Sequence, residues 1–237
     1  MILGIYGYGK MGGAIENLYS SKKEISEIVI FEEGGDLEGF CLKADLIVDF
    51  STREGSSALL THLVENSYKT KAILIGTTAL SPGEHDLIKT LAQNHSIMSA
   101  PNVSFGANLI ANISKKIAKI LSDAYDIDIV ESHHRHKIDS PSGTALMIAS
   151  SIKEEVQADI EANIALPREN KSIRVNSIRA GSITGKHEVI FTGPYDSISI
   201  THTMNDRNLL ASSALDAILW LATQKPGLYS INNMFGL

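Results

Sequence analysis

Apolar and polar positions along this chain of 237 residues follow two periods. Short apolar runs at 2–6 (Ile-Leu-Gly-Ile-Tyr), 27–31, 45–50, 71–76 and 96–100 read as strands. Between them, apolar residues recur at helical spacing: Ala14, Ile15 and Leu18, then Leu59, Leu60 and Leu63 in a helix from about Glu54 to Asn66. Ser81-Pro82-Gly83-Glu84 has the form of a capping box and opens a further helix to about Gln93. This alternation predicts a mostly parallel, doubly wound sheet as far as Ser104. The pattern then changes. Phe105 to about Ser122 predicts a long amphipathic helix with Leu109, Ile113, Ile117 and Ile120 on its apolar side. A strand at 127–130 leads into a polar run, and a helix is expected from Pro141 to about Val156, with Ser140 as its N-cap. Runs at 173–180, 187–192 and 197–203, divided by Gly181, Gly185 and Gly193-Pro194, suggest antiparallel strands. A last helix spans about Asp206 to Thr223. The second half is thus expected to be an α+β domain.

Composition narrows the classes. Hydrophobic residues make up 43% and charged residues 20%, ordinary proportions for a globular protein with a full core. A net charge of −6 argues against nucleic acid or an anionic membrane as partner. The single cysteine, Cys41, allows neither a disulfide nor a cysteine metal cage and reads as a packing residue. No apolar run approaches a membrane span, and Met1 leads directly into a strand, so a cytoplasmic location is the expectation.

The first strand runs into Gly7-Tyr8-Gly9-Lys10-Met11-Gly12 and then a helix. That order suits a dinucleotide. Gly7 permits a tight turn, Gly9 lets a pyrophosphate approach the backbone, and Gly12 lets helix and strand pack closely. The second strand ends at Glu32, twenty residues past Gly12, where an acid can bind the hydroxyls of an adenosine ribose. Glu33 adds a negative charge that disfavours a 2′-phosphate, and Lys10 pulls the other way. NADH is therefore the expected cofactor, with NADPH as the alternative. Gly76-Thr77-Thr78 ends the fourth strand, where cofactors lie in open α/β sheets, although the same residues suit a plain turn.

The most unusual stretch is Glu131-Ser-His-His-Arg-His-Lys137, followed by Ser140-Pro-Ser-Gly-Thr144. Three readings compete for it: a solvated loop, a metal site, or acid catalysis with anion binding. In an extended chain His133 and His134 point to opposite faces; only His134 and His136 share a side, and Arg135 and Lys137 would repel a cation. No metal is therefore expected. Histidine is the natural proton donor near neutral pH, and Lys137 is a fixed positive charge. Gly143 and Thr144 offer amides and a hydroxyl to a carboxylate at a helix N-terminus. Joined to a nicotinamide, this predicts hydride addition to a conjugated imine, with a histidine supplying the proton.

The stretch from Glu131 to Ala145 resembles the signature of the dihydrodipicolinate reductase (4-hydroxy-tetrahydrodipicolinate reductase) family. Supporting resemblances are Lys10-Met11-Gly12, Asp49-Phe50-Ser51, Gly76-Thr77-Thr78, Ala100 to Ser104, and Arg179-Ala180-Gly181 with Gly185 and His187. The resemblance implies NAD(P)H-dependent reduction of a small dicarboxylate imine, dihydrodipicolinate, in lysine and diaminopimelate synthesis. It implies His133 as proton donor, Lys137 as its catalytic partner, and His134, Gly143 and Thr144 as substrate ligands. Gly7, Tyr8, Gly9, Lys10, Met11, Gly12, Glu32, Gly76, Thr77, Thr78, Ala100, Pro101, Asn102 and Val103 would line the cofactor site. A Rossmann-type domain of residues 1–104, completed by about 206–237, and a substrate-binding and oligomerisation domain of 105–205 with an open mixed sheet are implied, as is a homotetramer. The glycine loop is one residue shorter than the family's usual form, Glu33 stands where an arginine is frequent, and Val103 stands where a larger Phe or Met is common.

Overall fold

The structure, a computed structural model, describes residues 1–121, 124–163, 167–168, 171–206 and 208–236. It divides into two compact units, Met1–Ser104 with Asn208–Leu237, and Phe105–Arg207. The expected end of the long helix at Ser122 lies outside the described residues.

The first unit runs β1 (Ile2–Tyr6), α1 (Lys10–Leu18), β2 (Glu27–Phe31), α2 (Leu37–Lys43), β3 (Leu46–Asp49), α3 (Arg53–Glu65), β4 (Ala72–Ile75), α4 (Pro82–Leu91) and β5 (Ser96–Ser99). After the second unit it resumes with α7 (Asn208–Ala222), β11 (Gly227–Tyr229) and α8 (Ile231–Phe235). Its six strands are all parallel, in the order β11-β5-β4-β3-β1-β2. Every side chain of β3 and β4 is buried, as strands covered on both faces require. Phe40, Leu59, Leu60, Leu63, Ile88 and Leu91 pack with Ile47, Ile73 and Ile75. Each such Leu or Ile contributes about 1.5–3 kcal/mol by leaving water. The capping box at Ser81 and Glu84 is present, and Cys41 is buried and free. Three elements were not expected. Asp36 caps the short α2 by accepting from Gly39 N at 2.9 Å, while β11 adds an edge strand beside β5 and leads into α8.

The second unit runs α5 (Phe105–Leu121), β6 (Asp126–His133), α6 (Gly143–Lys153), β7 (Asp159–Ala162), β8 (Ser172–Arg179), β9 (Lys186–Thr192) and β10 (Ser197–Thr203). These five strands order as β10-β9-β6-β8-β7. The expectation of antiparallel pairing holds for β9 with β10 and with β6, and fails for β8, which is parallel to β6 and to the unexpected β7. The reason is that β6 inserts between β8 and β9, so these two sequence neighbours do not pair. Ile127, Ile129, Ile173, Val175, Val189 and Phe191 form the core with Ile110, Ile148 and Ile152 of the two helices.

The buried face of α5 differs from expectation. Ala107, Ile110, Ala111, Ser114 and Ala118 are buried, whereas Leu109, Ile113 and Ile120 are exposed. Small side chains let α5 approach α6 closely, and they decide the contact face over larger apolar residues. Among the described residues no helix is long and apolar enough to cross a membrane.

Candidate active site

Strand alternation builds the centre of the second unit. Ile127, Ile129, Glu131 and His133 of β6 project to one face. The first two enter the core, and the last two continue the row as a buried acid and a buried histidine. The polar run is therefore strand as far as His133, with only the residues beyond it in a turn. Glu131 is 0% exposed and accepts four hydrogen bonds. Arg179 Nη1 donates to Oε2 at 2.9 Å and Nη2 to Oε1 at 2.6 Å. Ser142 N donates to Oε1 at 3.1 Å, and His133 Nδ1 lies 2.6 Å from Oε2. Burial alone would raise the Glu131 pKa, but the bonds from Arg179 and His133 outweigh it and hold the carboxyl at about 2.

Register brings in the flanking strands. Arg179 of β8 lies opposite His133, and His187 of β9 lies opposite Glu131. The His187 ring meets the His133 ring edge-on, with centroids 5.2 Å apart. His187 Nε2 is 3.1 Å from Ser142 Oγ. Burial, followed by the charge of His133, pushes the His187 pKa down to about 4, so this ring is neutral at physiological pH. A Cβ built on Gly185 would stand 3.3 Å from His133 Nε2, so the glycine keeps the space beside that nitrogen clear.

The helix that follows starts later than expected. Ser142, not Ser140, is the N-cap of α6: its Oγ accepts from Ala145 N at 3.2 Å. Pro141 precedes the cap, joined to Ser140 by a cis peptide bond, and is not the first helical residue. The choice between the two serines is made from outside the segment, because Glu131 takes the Ser142 N–H and His187 its hydroxyl. Gly143 and Thr144 are thus the first two residues of an eleven-residue helix with no acid in its first turn. That end carries the positive pole of the helix dipole and suits an anion.

The remaining candidates of this segment lie in the turn. His134, Arg135 and His136 line an open cavity of about 650 Å³ with Gly181 and Ser182. The rings of His134 and His136 are 6.4 Å apart. Lys137 Nζ is 2.9 Å from Asp139 Oδ1, and Arg179 Nη2 donates to the Asp139 carbonyl at 2.6 Å. Among the described residues no three His, Cys, Asp or Glu side chains converge as a metal-ligand set. Sequence reasoning assigned no role to Glu131, Ser142, Arg179, Gly185 or His187. The i,i+2 spacing with His133 on a strand was the local signal for Glu131, whereas Ser142, Arg179, Gly185 and His187 entered only as part of the family resemblance.

In the first unit Gly7 and Gly12 meet the turn and packing demands expected of them. Gly7 adopts φ +92°, and a Cβ there would lie 2.7 Å from Ser51 Cα. A Cβ on Gly12 would stand 2.5 Å from the Gly7 carbonyl, whereas one on Gly9 would meet nothing within 4 Å. Gly9 is the N-cap of α1 and supplies no side-chain cap. Tyr8 is exposed and donates its hydroxyl to Glu16; Lys10 and Met11 begin the helix. Glu32 stands exposed just past β2. Beyond β4, Gly76 packs against the Phe50 ring, Thr77 donates to the buried Asp49 at 3.2 Å, and Thr78 is exposed. After β5, Ala100 and Val103 are buried, Pro101 is exposed, and Asn102 Oδ1 accepts from Ser104 N at 3.0 Å. All these residues follow the C-terminal ends of parallel strands, where open α/β sheets bind ligands.

Comparison with known proteins agrees along nearly the whole chain. A family model described as dihydrodipicolinate reductase, N-terminus, matches residues 1–103, and one described as dihydrodipicolinate reductase, C-terminus, matches 106–235. A 4-hydroxy-tetrahydrodipicolinate reductase of Rickettsia africae (strain ESF-5) is 36% identical over 231 residues, covering 96% of this chain and 95% of the relative. One of Rhodopseudomonas palustris (strain BisA53) is 37% identical over 209 residues, covering 85% and 76%. The dipicolinate-bound dihydrodipicolinate reductase from Paenisporosarcina sp. TG-14 superposes with a TM-score of 0.79 at 19% identity over 97% of each chain, which establishes the shared fold.

Proposed function

The chain belongs to the dihydrodipicolinate reductase family, and from that premise we propose that it reduces dihydrodipicolinate, formed from 4-hydroxy-tetrahydrodipicolinate, to tetrahydrodipicolinate in lysine and diaminopimelate synthesis. The residues of the first unit fit a nicotinamide dinucleotide. The α1 N-terminus has no side-chain cap, and the space before Gly9 is open. Gly7, Tyr8, Gly9, Lys10, Met11 and Gly12 would hold the pyrophosphate, Glu32 the adenosine ribose, and Gly76–Thr78 with Ala100–Val103 the nicotinamide end. The nicotinamide supplies the hydride when bound. Glu32 and Glu33 favour NADH over NADPH in this reading, since a 2′-phosphate beside them would meet like charge.

The second unit supplies the proton and the anion site. His133 gives its proton from Nε2, because Nδ1 is engaged by Glu131 at 2.6 Å. Gly185 leaves room for substrate at that atom. His187, held neutral, neither competes as the acid nor adds a second positive charge beside it. One substrate carboxylate takes the N-terminus of α6 at Gly143 and Thr144, with His134 beside it, and Lys137 offsets the negative charge. The observation that most supports this reading is Ser142. Its N–H goes to the carboxylate that holds His133, and its Oγ caps the helix that begins at Gly143. Acid and anion site thus share one anchor.

The test is substrate-dependent oxidation of NADH and of NADPH, with dihydrodipicolinate generated in place from pyruvate and aspartate semialdehyde by its synthase. Oxidation requiring all components is expected, faster with NADH. Dinucleotide binding without oxidation would overturn the reaction. The cytoplasmic location and the homotetramer implied by the family resemblance belong to the same proposal; light scattering should give four times the chain mass.

A further inference from the structure

We infer that Glu131 is the positioning residue of this site: its carboxylate fixes which nitrogen of His133 carries the retained proton and anchors both the first turn of α6 and the Lys137 loop. This rests on the reading of His133 as proton donor. Each oxygen of Glu131 accepts two bonds, Oε1 from Arg179 Nη2 and Ser142 N, and Oε2 from Arg179 Nη1 and His133 Nδ1. The acceptor capacity of a carboxylate is then filled. An ionised carboxylate cannot donate, so the short contact to His133 requires the proton to sit on Nδ1. Nε2 is left as the only ring nitrogen that can exchange a proton with substrate, and it faces the space kept open by Gly185. After the transfer the neutral ring keeps Nδ1–H and presents an Nε2 lone pair for reprotonation.

The same carboxylate reaches the rest of the site. Through Ser142 N it fixes the residue that caps α6. Through Arg179 it reaches the Asp139 carbonyl, and Asp139 holds Lys137 Nζ at 2.9 Å. A buried ion pair of this kind is weak evidence for stability, since apolar replacements often do as well. Its value here is geometric: three elements that must act on one small substrate are tied to one rigid group. The charged and titratable groups around it are Arg179 from β8, His187 from β9, His202 opposite His187 on β10, and Lys137 and Asp139 from the loop.

The test is E131Q in the full chain, labelled with ¹⁵N-histidine. An amide facing Nδ1 donates where the carboxylate accepted, so the neutral His133 ring should change from the Nδ1–H to the Nε2–H form in its nitrogen spectrum. Turnover should fall by about 10²-fold or more, as when a catalytic histidine loses the carboxylate that sets its tautomer. Dinucleotide Kd should be unchanged. A purely structural role would lower Tm and leave tautomer and kcat as in wild type, and that result overturns the inference. If E131Q does not fold, E131Q/R179M removes the uncompensated guanidinium and is read the same way. A wild-type protein without turnover would sink the proposed reaction instead, while the nitrogen spectrum would still decide the role of Glu131.

Discussion

His187 Nε2 lies 3.1 Å from Ser142 Oγ and so joins strand β9 to the cap of helix α6. The ring is 5% exposed, and its pKa falls from 6.5 to about 4. Between those values the unfolded chain binds a proton that the folded chain does not. Stability from this group is therefore complete above pH 6.5 and is lost as pH falls toward 4, by on the order of 3 kcal/mol. Glu131, lowered from 4.5 to about 2, adds a second limb of the same sign at lower pH. H187Q keeps a side-chain nitrogen for Ser142 and removes the titration. Thermal melts should show wild-type Tm falling from pH 6.5 to 4 and H187Q falling less steeply over that range, because burial also lowers the pKa of His95 and of His202, whose titrations remain. Equal slopes would mean that His187 is not held neutral by the fold.

Two of the three glycines in the loop from Gly7 to Gly12 separate packing from binding. G12A drives a methyl to 2.5 Å from the Gly7 carbonyl, so it should lower Tm and dinucleotide affinity together. G9A meets nothing within 4 Å in the protein, so Tm should hold. If a pyrophosphate approaches there, G9A should still weaken binding by about tenfold, or about 1.4 kcal/mol. Calorimetric titration with NADH, paired with melts, distinguishes the two. Wild-type affinity in G9A would remove Gly9 from the phosphate site.

Gly185 tests which nitrogen of His133 reacts. A methyl there sits 3.3 Å from Nε2 and from Met204 Cε, tighter than ordinary carbon contacts of about 3.5–4.0 Å. G185A should fold, bind dinucleotide normally and lose turnover by about tenfold, or about 1.4 kcal/mol in the barrier. Unchanged kcat would show that the open side of Nε2 is not where substrate lies.

The parts of the fold legible in the sequence are those set by local pattern. Leu46 to Val48 of β3 and Ala72 to Ile75 of β4 are apolar runs between turn residues and read as buried strands, and Gly7 to Gly12 sits at the one junction where such a loop has a use. The seven-residue α2 and the three-residue β11 carry too few positions for a period to register. The parallel pairing of β8 with β6, and the preference of α5 for its alanine face, depend on partners distant in sequence. The site divides the same way. His133 and Lys137 stood out by residue type, and Glu131 was readable as a strand neighbour of His133. Arg179 lies 48 positions from Glu131, and only the sheet brings them together. The choice of Ser142 over Ser140 as cap had the same cause.

The most direct measurement of the account is steady-state turnover of H133Q beside K137A and wild type, with NADH affinity taken separately. Loss of a general acid typically costs about 10²–10⁴-fold, so H133Q should lose kcat on that scale while its NADH Kd stays at the wild-type value. K137A should lose both turnover and substrate affinity. A folded H133Q that turns over at the wild-type rate would contradict the assignment of the proton to His133.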